Sequence, residues 1–318
     1  MKIAILASES RKTKDRPVIE EAAQAFDTFI YAPITKVRFD LASAKSLSIL
    51  SLKRFTSEKS LSEMSVKCNG YDLSDADCLL VIPTSTHAEL FYTALRILDN
   101  CVVPFDAKTY MLTINEGLLF NFLGAKGIPI RESLIVASNI SIDKINERIK
   151  YPVIVRPPRK RVMVTNTTTL KDVLSLYSYG TPIRIETPIR SERNVWAFVL
   201  EDDVIAGYEK TKDAPQVTAI DDDLKRLAIK VRDLIGCNYC AMRFLYDKNK
   251  WVIDKLTFSP DFSNFQKITG VNIGRHIVSN LRNKVRKRER PKWHEKVEHL
   301  FRFRRVSAIG ESETEAKA

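Results

Sequence analysis

Glycine is scarce in this 318-residue chain, with only ten in all, and that scarcity excludes one common way of holding phosphate. A glycine-rich loop works because backbone amides can approach phosphate oxygens where no Cβ intervenes. No such loop occurs in the alternating first part of the sequence. Long apolar runs are missing too. Nothing reaches the roughly 18 residues of a membrane-spanning helix, so no membrane insertion is expected. The opening Met1-Lys2-Ile3-Ala4-Ile5-Leu6-Ala7 lacks the longer apolar region and cleavage site of a secretory signal, and the expected compartment is the cytoplasm. Five cysteines, Cys68, Cys78, Cys101, Cys237 and Cys240, are too few for a disulfide framework and suit a reducing interior. Glutamine is reduced to Gln24, Gln216 and Gln266 beside many Lys, Arg and Glu, a balance seen in proteins of hot-living sources.

What is present is apolar bulk and positive charge. With 44% hydrophobic residues, the chain can bury a sizeable core in two or three lobes. The net charge of +12 favours acidic partners. Much of that charge is local. From Arg275 the chain runs through Arg282, Lys284, Arg286, Lys287, Arg288, Arg290, Lys292, Lys296, Arg302, Arg304 and Arg305, interleaved with Trp293, His294, Phe301 and Phe303. The sign then flips at Glu311, Glu313 and Glu315. One reading is a solvated helix face with a polar end; the other is a surface where arginines meet phosphates while aromatics stack on bases.

The body of the chain alternates strands and helices. Residues 2–7 read as a buried strand, 18–26 as a helix with Pro17 at its first position, and 27–31 as a second strand. A strand over 78–83 ends in Thr84-Ser85-Thr86, a helix follows over 87–98, and 102–104 reads as a short strand. Residues 115–126 have helical character ending at Gly127 before Ile128-Pro129. This order predicts a doubly wound α/β sheet in about the first hundred residues. Other motifs are weak. Cys237-Asn238-Tyr239-Cys240 has redox or zinc spacing without a second ligand pair nearby, so buried cysteines are expected there. His294 and His299 do not share a helical face as a metal pair would.

The segments "LLVIPTSTHAELFYTALRILDNCVVPFD", "GLLFNFLGAKGIPIRESLIV", "YPVIVRPP", "PIRIETPI", "NVWAFVLEDDVIAGYEK" and "LAIKVRDLIGCNYCAMRFLYDKNKWVIDKLTFSPDFSNFQKITGVNIGRHIV" resemble, in sequence and order, the ATP-grasp superfamily. The resemblance is to RimK-type ATP-dependent carboxylate-amine ligases, which act through an acyl phosphate. It implies an ATP-grasp fold: a pre-ATP-grasp α/β domain over 1–112, an ATP-grasp small lobe over 113–180 and a large lobe over 181–281. A basic extension with an acidic tail follows over 282–318. ATP would lie between the two lobes.

Against that resemblance, the positions that carry catalysis depart from the pattern. Glu116 stands where the family has a phosphate-binding lysine, and Arg156 where it has a second. Pro157-Pro158-Arg159-Lys160-Arg161 replaces the flexible glycine-rich loop and removes two amide donors. Where the family holds magnesium with an aspartate, a glutamate and an asparagine, this chain has Arg243, Lys255 and Thr257. Magnesium requires hard oxygen donors. Strand alternation sends the neighbouring Asp254 to the opposite face, and Asp261, on a loop, is the stand-in that remains. Trp196 and Asn194 replace a family arginine and aspartate.

These departures lead to an expectation of no catalytic residues and no metal ligands. The favoured reading is a catalytically degenerate RimK-like protein acting as a binding or regulatory factor for a polyanion, RNA or a ribonucleoprotein. Its cleft would use Arg156, Arg159, Lys160, Arg161, Arg243 and Lys255, with Glu186 facing an adenine amino group. Its tail would use Arg282, Arg286, Lys287, Arg288, Arg290, Trp293, Arg302, Arg304 and Arg305. No cofactor would be required; ATP remains open and magnesium is not expected. Two alternatives stand beside it: an active ligase with displaced metal ligands, and a structural subunit of a larger assembly bound to a protein partner.

Overall fold

Every residue of Lys2–Ala7 (β1) after Lys2 is buried, and a strand so apolar on both faces needs cover on both. Helix Arg16–Ala25 (α1), with Pro17 in its first turn, leads to Thr28–Pro33 (β2), which pairs with β1 in parallel. Val37–Leu41 (β3), Met64–Cys68 (β4) and Tyr71–Asp72 (β5) form a small antiparallel sheet. Cys78–Ile82 (β6) then completes the order β2-β1-β6. The computed structural model describes residues 1–41, 64–156, 161–189, 191 and 193–289. Residues 102–104 do not form the expected strand. Only Val102 bridges, to Cys78, because Pro104 has no N–H for a ladder and its carbonyl accepts from Asn238 instead.

Three helices follow, Ala88–Ile97 (α2), Ala107–Ile114 (α3) and Glu116–Ala125 (α4). The Asp106 and Asn115 side chains cap the last two. A second sheet is built from Ser133–Ala137 (β7), Val153–Arg156 (β8), Val162–Val164 (β9) and Pro182–Glu186 (β10), in the antiparallel order β7-β10-β8-β9. Ile142–Asn146 (α5) and Thr167–Ser175 (α6) join its strands. Alternation sends Val153, Val155, Ile183 and Ile185 into a core with Leu170 and Leu174 of α6. The opposite face of the same strands therefore carries Arg156, Arg184 and Glu186.

The third sheet has the order β13-β12-β11-β14-β15, from Arg193–Leu200 (β11), Asp203–Lys210 (β12), Pro215–Val217 (β13), Tyr239–Asp247 (β14) and Lys250–Thr257 (β15). Helix Asp222–Ile235 (α7) begins at Asp221, whose carboxylate accepts from the Leu224 amide and the Trp251 indole. It ends at Gly236, whose φ of 77° suits the left-handed cap. Phe262–Thr269 (α8) and Ile273–Glu289 (α9) close the described chain, and α9 runs unbroken past position 281. Gly274 allows α9 to meet α1, since a Cβ there would collide with the Pro17 carbonyl. Two apolar clusters weld the first and third sheets together: Leu6, Val81, Phe120 and Phe244 share one, Ile5, Ile82, Phe198 and Ile277 the other.

Candidate functional site

Between the second and third sheets lies a cluster of charge supplied by five places in the chain. Arg156 ends β8, Arg184 and Glu186 come from β10, Arg243 from β14 and Asp254 from β15. Arg131 arrives from the segment after α4, which is pinned to β15 by a bridge between Ile130 and Ile253 and a 3.0 Å bond from the Ile253 amide to the Pro129 carbonyl.

Asp254 is in this cluster because β15 does not alternate strictly. Arg243 faces Lys255 and Phe244 faces Ile253, so Asp254 is an extra residue at a β-bulge. The packing shows the same shift of phase. Trp251 and Ile253 enter one apolar core, and so do Leu256 and Phe258, which leaves Asp254 and Lys255 together on the other side. The sequence expectation that Asp254 faces away is therefore corrected. It also explains how Arg243 and Lys255 tolerate each other: Arg243 turns its Nη2 onto Asp254 Oδ2.

Asp254 Oδ1 also accepts from Arg156 Nη2 at 3.0 Å and forms an ion pair with Arg131 Nε at 2.6 Å. Glu186 Oε1 lies 2.8 Å from Arg156 Nε and 3.0 Å from Arg184 Nη2, and its Oε2 lies 3.7 Å from Arg131 Nε. Glu116 reaches Arg184 only at 4.0 Å. The Arg184 guanidinium also stacks over Phe120 at 4.0 Å, and that of Arg243 lies 5.8 Å from the Trp196 ring. Burial pushes the Asp254 carboxyl upward, yet Arg243, Arg131 and Arg156 together hold it below its usual range.

The cluster is graded from inside to outside. Arg131, Arg184, Glu186 and Asp254 are at most 5% exposed, whereas the side chains of Arg156 and Arg243 are 13% and 19% exposed. It is also rich in charge but poor in aligned hydrogen bonds. Arg131 Nη1, Arg184 Nε and both Glu186 oxygens are buried without a hydrogen-bond partner among the described residues. Both Glu186 oxygens nevertheless lie in ion pairs, so the cluster is held by charge more than by aligned hydrogen bonds.

The donor set does not fit a divalent cation. Magnesium binds carboxylate oxygens and water with octahedral demands, while both carboxylates here are covered by guanidinium groups that outnumber them. No three His, Cys, Asp or Glu side chains converge as a metal-holding group among the described residues. Asp261 is not a stand-in, because its Oδ1 accepts from the Asn264 amide at 3.0 Å and caps α8.

Of the residues singled out from sequence, Arg156, Glu186 and Arg243 meet in the cluster. Glu186 spends its carboxylate on arginines. Arg161 lies close by: burial first, then the charges of Arg156 and Arg131, depress its pKa. Lys255 is half-buried and has no ion pair among the described residues. Arg159 and Lys160 fall outside the described residues, as do Arg290, Trp293, Arg302, Arg304 and Arg305. Arg282, Arg286, Lys287 and Arg288 belong to α9, where Arg288 donates to the Asn100 carbonyl. The neighbouring Lys284 binds Asn238 and Glu201. Cys237 and Cys240 are buried and free. Arg131, Arg184 and Asp254 were missed. Arg184 and Glu186 were legible as the polar half of an alternating Pro182–Glu186, and Asp254 as the point where the apolar phase of β15 jumps.

A family model for the RimK-like ATP-grasp domain matches residues 115–281. The α-aminoadipate–LysW ligase LysX of Sulfurisphaera tokodaii is 22% identical over 240 residues, covering 68% of this chain and 84% of that protein. The glutamate–LysW ligase ArgX of Sulfolobus acidocaldarius is 20% identical over 231 residues, covering 65% and 82%. Among solved structures, the ATP-grasp ligase PsnB complexed with minimal precursor, Mg and ADP superposes with a TM-score of 0.66 at 12% identity. It covers 89% of this chain and 98% of that one. These similarities overturn the expectation of a degenerate factor for RNA or another polyanion, since relatives matched along about two thirds of the chain are amino-acid ligases. With the family model matching more than half of its length, the chain belongs to the RimK-like ATP-grasp family.

Proposed function

We propose that this protein is an ATP-dependent ligase that joins a carboxylate to an amine, with the arginine-lined cleft as its phosphoryl-transfer site. The observation that carries the reading is the match along about two thirds of the chain to amino-acid ligases. The cleft fits it: buried charged side chains from separate elements converge between the two sheets. A carboxylate oxygen of the acceptor attacks the γ-phosphorus, the bond to the bridging oxygen breaks, and ADP leaves. The amine nitrogen then attacks the acyl carbon of the acyl phosphate, phosphate departs with the carbon–oxygen bonding pair, and the nitrogen loses a proton to solvent. Arg156 and Arg243, at the exposed side of the cluster, would hold the charge that builds on the transferring phosphoryl group. Inner Arg131 and Arg184 keep Asp254 and Glu186 neutralised.

The substrate class suggested by the relatives is a dicarboxylic amino acid, since one acts on α-aminoadipate and another on glutamate. The test is ADP release and product mass with ATP, these amino acids and a panel of carboxylate acceptors, in buffers with and without magnesium. The expected result is an amide product with one ADP per bond formed. Arg243→Ala should lower turnover by about a hundredfold, the usual scale for losing one preorganised charge-stabilising donor. Absence of nucleotide binding together with absence of product across the panel would overturn the reading.

A further inference from the structure

We infer that the outer cations of this cleft bind the nucleotide's phosphates directly, without a divalent cation, and that the phosphates draw Arg156 and Arg243 away from Glu186 and Asp254. The inference rests on the ligase reading for the identity of the anion. Its physical basis is the charge balance of the cluster. Arg131 and Arg184 match Asp254 and Glu186 charge for charge and are buried with them. Arg156 and Arg243 exceed that balance, the half-exposed Glu116 at 4.0 Å from Arg184 offsets one of them, and Arg161 and Lys255 add two more cations with no ion pair among the described residues. A polyphosphate is the anion that fits such a surplus; a metal dication would add to it.

Hydrogen bonding points the same way. The existing ion pairs leave several buried guanidinium nitrogens without a hydrogen-bond partner among the described residues, Arg156 Nε and Arg243 Nε of the outer pair among them. Guanidinium forks match phosphate oxygens with two parallel donors. The carboxylates thus occupy the positions of the ligand's oxygens imperfectly, and an entering triphosphate would satisfy donors that they do not. The exposure gradient sets which arginines move: Arg156 and Arg243 reach solvent, whereas Arg131 and Arg184 lie behind them.

The experiment is calorimetric titration of the full chain with ATP, once in excess EDTA and once in magnesium, with inorganic tripolyphosphate as competitor. The expected result is binding in EDTA within about threefold of that in magnesium, displaced by tripolyphosphate. Asp254→Asn, which keeps shape and removes one competing charge, should tighten binding in EDTA about tenfold, and Arg243→Ala should weaken it at least tenfold, in line with charge-assisted bonds. Lys255→Glu, at a half-buried position, should weaken EDTA binding and make magnesium improve it; it covers the case in which Asp254→Asn does not fold. Binding seen only with magnesium overturns the inference and leaves the ligase reading in place. Failure of the Asp254→Asn protein, when folded, to gain affinity overturns the displacement. No binding under either condition overturns the ligase reading and the inference with it.

Discussion

The first and second sheets meet the third in opposite ways. The parallel sheet β2-β1-β6 is joined to the five-stranded sheet through apolar side chains with no exposure, such as Leu6, Val81, Phe198 and Phe244. The sheet β7-β10-β8-β9 keeps a separate core and meets the third sheet through guanidinium and carboxylate groups. Close-packed apolar joints resist rearrangement because any movement opens voids. Ionic joints can exchange one partner for another of the same charge, provided that the new partner satisfies the donors. A ligand of the right charge can therefore act at the second joint and not at the first. The contrast agrees with a cleft that grips phosphate by trading internal carboxylates for external ones.

The largest expected effect breaks the apolar joint. Phe244 is fully buried in the cluster that links the sheets, so Phe244→Ala removes transfer energy and leaves a cavity, at a cost of about 4 kcal/mol. Urea unfolding should show the loss with the two-state slope unchanged. An effect under about 1 kcal/mol would mean that the joint collapses around the void and is not rigidly packed.

A smaller effect is expected at the ionic joint. Asp254→Ala leaves Arg131, Arg156 and Arg243 without a shared acceptor, and uncompensated buried charge costs about 3 kcal/mol, near the lower end because two of these arginines reach solvent. The pH dependence has a definite sign. Asp254 is held below its ordinary value of 3.8, so its contribution is complete above that value and is lost as pH falls through the lower folded value. Asp15 behaves in the opposite way. Burial raises it to about 6 despite Arg11, so its contribution is complete below 3.8 and is lost as pH rises through about 6. Stability measured from pH 3 to 8 in Asp254→Asn and Asp15→Asn should lose the acid limb in the first and the neutral limb in the second. Identical profiles would remove the assignment.

Much of the fold was legible because it follows from patterns that local physics enforces. The buried run Ile3 to Ala7, the Pro17 helix start and the Gly127 stop each fix an element on their own. The cleft was legible only in part. Arg156, Glu186 and Arg243 sit on strand faces that alternation assigns, but Arg131 acquires its place through a bridge to β15 that no local pattern reveals. Asp254 was misassigned because alternation was carried across a bulge. The jump from Trp251 and Ile253 to Leu256 and Phe258 was the available signal, and a two-residue gap in a period of two is what a bulge looks like in sequence.

The smallest expected effect tests whether burial, and not charge pairing as such, gives the ionic joint its strength. Arg16 and Glu20 form an i,i+4 pair on α1 with a 2.6 Å contact, as short as any in the cleft whose length is given, yet their side chains are 72% and 54% exposed. Water and salt screen such a pair, and ordering two long side chains offsets what remains. Glu20→Ala should leave the unfolding midpoint unchanged within error at physiological salt, while Asp254→Ala shifts it clearly. If the two substitutions shifted the midpoint equally, contact distance would govern both, and the distinction between a buried, exchangeable joint and an ordinary surface pair would fail.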